Sequence, residues 1–128
     1  IAGEVFVRRI TAAVDCGLVV HPEIVKAQIA GAATMGLSAA LFGKLSFVDG
    51  AVQEQNFHQY KLLGMRQAPR VDVHIVASSE APGGVGEVGL PPVAGALGNA
   101  IFAATGTRIR TLPVGDQLRP RAGAASGA

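Results

Sequence analysis

The chain has 128 residues, 49% hydrophobic and 16% charged, a length and balance that suit one globular domain and exclude a disordered chain. A single cysteine, Cys16, excludes an internal disulfide framework and any zinc site built on a cysteine pair. The net charge of +2 draws on Arg108, Arg110, Arg119 and Arg121, which are scattered rather than set in a basic stripe with stacking aromatics, so a solvated surface is expected there and no nucleic acid.

Aromatic area is scarce, with five Phe, one Tyr and no Trp against 17 Gly. The core must therefore rely on close backbone approach more than on bulky filling. Pro22, Glu23, Lys26 and Gln28 interrupt the best apolar run, so no transmembrane segment of roughly 18 residues is expected. Ile1 leads directly into the strand-like Val5-Phe6-Val7, as in a segment of a longer chain, and the compartment stays open.

Residues 4 to 15 are rich in Val and Ile and read as a long strand. From Pro22 to Phe42 the pattern is helical: Pro22 suits the first helical position, Glu23 complements the positive helix end, and Gly43 stops the run. Ile24, Gln28, Ala32 and Met35 fall on one face. Gly31 and Gly36 each cost about 1 kcal/mol inside a helix, a cost tolerated where another backbone or a ligand comes close. Asp49-Gly50 between two short apolar runs signals a hairpin. Residues 56 to 69 lack a period and end in Pro69, so an irregular connection is expected; Val71 to Ala77 alternates as a strand. Pro91-Pro92 opens a helix through Ala104, closed by Thr105-Gly106. The order strand, helix, hairpin, strand, helix predicts an α+β fold, with a mixed or antiparallel sheet and two helices packed on it. Residues 1 to 114 form this segment, and residues 115 to 128 are expected to be a disordered tail.

Between the last strand and the last helix lies SEAPGGVGEVGLPP, residues 79 to 92. Gly84, Gly86 and Gly89 spell G-x-G-x-x-G, yet a dinucleotide cradle is rejected. Several residues separate the strand from the first glycine, two prolines follow the last, and Glu87 would repel pyrophosphate. Glycines let this backbone approach a ligand, and Glu87, close before a helix start, is suited to proton transfer. The loop chemistry alone favours Glu87 as a turn cap or surface ion-pair partner over a catalytic group. Cys16 reads as buried packing, and His21, His58 and His74 have no metal-ligand spacing.

Two runs taken together narrow this choice: VDCGLVVHPEIVKAQIAGAATMGLSAALFG, from Val14 to Gly43, and GGVGEVGLPPVAGALGNAIFAATGTRIRTLP, from Gly83 to Pro113, with NFHQY between them. Over about residues 3 to 114 the chain resembles the C-terminal part of the molybdenum-binding subunit of the xanthine dehydrogenase and aldehyde oxidase family, especially the isoquinoline 1-oxidoreductase beta subunit. The resemblance implies that Glu87 is the base that takes a proton from the hydroxyl carried by molybdenum, in the oxidative hydroxylation of an aldehyde or N-heteroaromatic carbon with water. It implies that Gln28, in Q-x-x-G, contacts the pyranopterin, and that Gly84, Val85 and Gly86 line the cofactor; no protein residue here is expected to ligate the metal. The expected cofactor is molybdopterin, with its cytosine dinucleotide form among the candidates. The expected partners are the remainder of the molybdenum subunit and a small subunit bearing [2Fe–2S] clusters, so the isolated chain should be inactive. The sequence departs from the family pattern at Glu87-Val88, where Glu-Pro is usual, at His21, where Asn is common, and at Gly31-Ala32, where Gly-Gly is frequent. The rival reading is a non-catalytic assembly fragment that binds no cofactor.

Overall fold

A computed structural model describes residues 3–118. Strand β1 (Arg9–Val14) leads to helix α1 (Pro22–Phe42), then to the hairpin strands β2 (Phe47–Val48) and β3 (Ala51–Val52). A 3-10 turn (Met65–Gln67), strand β4 (Arg70–Ile75) and helix α2 (Pro92–Thr105) follow among the described residues. The α+β class and the element order are those expected. The strands do not share one mixed or antiparallel sheet, however: β1 pairs with β4 in parallel, and the hairpin forms its own antiparallel ribbon. A parallel pair requires a long crossover, and α1 supplies it. β1 is shorter than the expected 4 to 15 because its partner strand begins only after Pro69, which has no N–H to donate.

Along both strands alternate residues share a face. In register, Ile10, Ala12 and Val14 stand beside Val71, Val73 and Ile75, while Arg9, Thr11 and Ala13 stand beside Arg70, Asp72 and His74. The apolar set faces the helices, with Ile10 and Val71 packed against the core. That core joins Ala33, Leu37 and Leu41 of α1 to Val93, Leu97 and Ile101 of α2. Spacing of four residues keeps each set on one helical stripe.

Pro22 enters α1, His21 Nδ1 accepts from Ile24 N at 3.3 Å, and Lys26 donates to Glu23 at 2.8 Å. His21 thus still caps the helix where Asn is common in the family. At the other end Val114 N donates to Ala40 O at 2.8 Å and Gly115 N to Leu41 O at 3.1 Å, satisfying carbonyls that a helix end leaves open. Past residue 114 the chain turns, and Gln117 Nε2 donates to Pro113 O at 2.8 Å. Residues 119–128 of the expected tail lie outside the described residues. Arg108, expected in solvent, stacks over the Phe102 ring at 3.6 Å. With 21 residues, α1 is long and apolar enough to cross a membrane by length and composition, contrary to the sequence expectation. Its buried side nevertheless packs on α2 and β4 in the manner of a core helix.

Of the four α1 residues expected on one face, only Ala32 is buried. Ile24 and Met35 are 58% and 66% exposed and Gln28 is exposed, whereas Ile29, Ala33 and Leu37 are buried. The helix is alanine-rich and apolar on nearly every side, so periodicity could not choose the face. Close approach chose it: a Cβ at Gly36 would lie 2.8 Å from Leu90 O and 3.2 Å from Val93 Cβ, whereas one at Gly31 would meet nothing within 4 Å.

Gly31→Ala is accordingly expected to stabilise the chain by about 1 kcal/mol through helix propensity, and Gly36→Ala to destabilise it by about 1–3 kcal/mol through overpacking. Urea unfolding of the two variants checks this contrast, and shifts of the same sign would contradict it. In the hairpin, the Ser46 backbone N–H donates to Glu54 Oε2 at 2.7 Å and holds that carboxyl below its ordinary value near 4.5. Because the folded value is the lower one, the stabilisation is present above pH 4.5 and is lost as pH falls through the folded pKa. NMR shifts of Phe47 and Val52 should report that loss, and Glu54→Gln should remove it.

Candidate functional site

The glycine-rich loop between β4 and α2 is fastened at two places. At its start Leu18 N donates to Glu80 O at 2.9 Å and Gly83 N donates to Cys16 O at 2.8 Å, so the loop is stitched to the chain just beyond β1. Gly17, between the two bonds, has φ +70, and a Cβ there would collide with Ala81 O and lie 2.8 Å from Glu80 O. Only glycine fits such a position. Cys16, expected to be buried, is 8% exposed and belongs to this joint. At the loop's end, a Cβ on Gly89 would lie 3.1 Å from Ile29 O and 3.2 Å from Ala32 Cβ. The loop then turns, with Leu90 N donating to Glu87 O at 2.8 Å, and enters α2.

The loop glycines therefore do two different jobs. Gly83 and Gly89 rest on protein, while Gly84 and Gly86 have nothing within 4 Å of where a side chain would begin. Glu87 follows the open pair directly and is exposed, as is Gln28, and Val85 is half-buried. Contact between Gly89 and Ile29 brings the backbone two residues after Glu87 against the backbone one residue after Gln28. The fold thus gathers the two expected site segments at one junction. Gln28 shares its exposure with Ile24 and Met35 of the same helix.

Beside this junction lies an apolar groove of about 540 Å³ between β1, α1 and α2, bordered by Gly84, Val88 and Gly89. Sequence reasoning did not find it, since no local pattern reports a gap between distant elements. Among the described residues no three His, Cys, Asp or Glu side chains group together. What the site offers is backbone N–H groups, an amide and a carboxylate, a donor set that fits an organic cofactor held by hydrogen bonds.

Comparison with known proteins identifies the family of the chain. The model of the molybdopterin cofactor-binding domain matches residues 1–69. The chain is 42% identical over 108 residues to the isoquinoline 1-oxidoreductase subunit beta of Brevundimonas diminuta, covering 84% of this chain and 14% of that protein. It is likewise 42% identical over 112 residues to a membrane-bound aldehyde dehydrogenase [pyrroloquinoline-quinone] of Gluconacetobacter polyoxogenes, covering 88% of this chain and 14% of that protein. In fold it superposes on CO dehydrogenase from Oligotropha carboxidovorans with a TM-score of 0.76 at 21% identity, over 91% of this chain and 16% of that one. The chain belongs to the molybdopterin cofactor-binding domain family, as a portion of the molybdenum-binding subunit found in isoquinoline, aldehyde and xanthine oxidoreductases. It spans about one seventh of the length of the relatives it matches.

In the chain by itself, Gly17→Ala should cost about 1–3 kcal/mol of stability from the forced left-handed conformation. Gly84→Ala and Gly86→Ala should stay within about 0.5 kcal/mol of the parent. Denaturant titrations that ranked the three alike would contradict the division of the glycines into fastened and open positions.

Proposed function

We propose that this chain supplies the general base and part of the cofactor seat of a molybdenum hydroxylase that oxidises an aldehyde or an N-heteroaromatic carbon, with water as the source of oxygen. The observation that carries this reading is the junction at Gly89 and Ile29, which holds the loop of Glu87 and the helix turn of Gln28 together beside two open glycines. The molybdenum–pterin group, when bound, supplies Lewis acidity and accepts the two electrons of the oxidation. Gln28 would hold it through an amide that both donates and accepts, and Gly84, Val85 and Gly86 would hold it through a backbone that no side chain screens. Gly31, one turn from Gln28 and equally open, leaves room on the same face.

Glu87 receives the proton released as water oxygen becomes bonded to the substrate carbon, and passes it on to solvent. Its place on a short turn pinned by Gly89 fixes where that carboxylate stands, and positioned proton transfer of this kind contributes on the order of 10²–10⁴ in rate. Electrons leave through [2Fe–2S] clusters on a small partner subunit, and the cytosine dinucleotide form of the pterin is the form proposed. The 128-residue chain alone is inactive in this reading, because the remainder of the seat comes from other parts of the subunit.

The test is Glu87→Gln in the cofactor-loaded assembly that contains this chain. Turnover of an aldehyde or N-heterocycle should fall at least about 100-fold, with molybdenum and pterin content unchanged. Normal turnover would sink the base assignment, and an assembly with no molybdenum or pterin would favour a non-catalytic role for the chain. Gln28→Ala should instead lower pterin content.

A further inference from the structure

Hydrogen bonds at the two ends of the parallel pair, from Arg70 N to Arg8 O and from Val76 N to Val14 O, set which way each β1 residue points its backbone. In a parallel ladder a residue directs its N–H and C=O to the same side. The even-numbered residues of β1 therefore face β4, and Arg9, Thr11 and Ala13 present theirs to the opposite edge. No described residue pairs with that edge. The same three residues line the apolar groove, whose far wall is α2, where Ala96 and Ala100 are exposed one turn apart. β1 covers about 20 Å at its ordinary rise and α2 about 21 Å, so the groove has the length of one six-residue strand.

We propose that this groove is the seat of one further β-strand, contributed by the rest of a molybdenum-binding subunit, which pairs with β1 at Arg9, Thr11 and Ala13 and turns apolar side chains onto Ala96 and Ala100. Three features favour that occupant. The groove combines an unpaired strand edge with an apolar wall, the two surfaces that an added strand satisfies together. The small side chains on α2 leave room for larger ones from the incoming strand. The first relative is about six times as long as this chain, since 108 matched residues are 14% of it, so it contains ample chain to supply the strand. The proposal rests on family membership and not on the role of Glu87, so either can fail without the other.

Ala100→Cys, whose thiol would face the groove, provides the probe, since the native Cys16 is buried. In the 128-residue chain alone, maleimide should label it rapidly, and mass-spectrometric hydrogen exchange should find the outward amides of β1 unprotected. When the same variant is expressed joined to the Brevundimonas isoquinoline 1-oxidoreductase beta subunit shortened by its matching segment, labelling should slow at least tenfold and the β1 amides should become protected. Equal labelling and exchange in the two proteins would overturn the proposal, including where the joined protein fails to assemble. Slow labelling of the chain alone, with a dimer in sedimentation, would overturn it in favour of a second copy. Slowed labelling without added protection of β1 would show that the groove is covered by something other than a paired strand.

Discussion

The structure depends on one close approach of backbone to backbone: the loop before α2 lies directly on α1. A side chain at Gly36 would strike Leu90 O, and one at Gly89 would crowd Ile29 O and Ala32. These two contacts set the distance between the helices, turn Ile29, Ala33 and Leu37 toward the core, and leave Gln28 outside. The core can consist of small aliphatic residues because the backbones are already this close. Gly17 performs the same service at the other end of the loop, where any larger residue would strike Ala81 O and Glu80 O.

Much of the fold was legible from local signals. Pro22 and Gly43 bounded α1, Pro92 and Gly106 bounded α2, and Asp49-Gly50 marked the hairpin, whose two turn residues have φ 49 and 78. Proline and glycine act through their own dihedrals, so such marks survive any tertiary context. Strand pairing was not legible in this way. β1 and β4 carry the alternation expected of a sheet with one apolar face, and that pattern is the same for parallel and antiparallel partners. The inward face of α1 was not legible, because an alanine-rich helix has no polar stripe to exclude the wrong side.

The junction that brings the loop of Glu87 close to the helix turn of Gln28 was not legible in the sequence. Loop chemistry allowed Glu87 to be a base or a surface turn residue, and Gln28 read only as a polar position on a helix. A glycine contact between two segments that lie far apart in the chain brings their neighbourhoods together, and nothing near either residue announces it. The same fold explains why the loop holds more glycine than packing requires: a side chain begun at Gly84 or Gly86 would meet nothing within 4 Å, and a backbone left open beside a carboxylate is suited to a ligand.

The loop of Glu87 is seated on α1 at Gly89 and on the chain beyond β1 at Gly83. In solution this predicts nuclear Overhauser contacts from the Gly89 α-protons to the Ala32 methyl and from the Gly36 α-protons to the Val93 methyls, together with a slowly exchanging Gly83 amide. A spectrum with a folded α1 and α2 that lacked both sets of contacts, and in which Gly83 exchanged freely, would contradict the account.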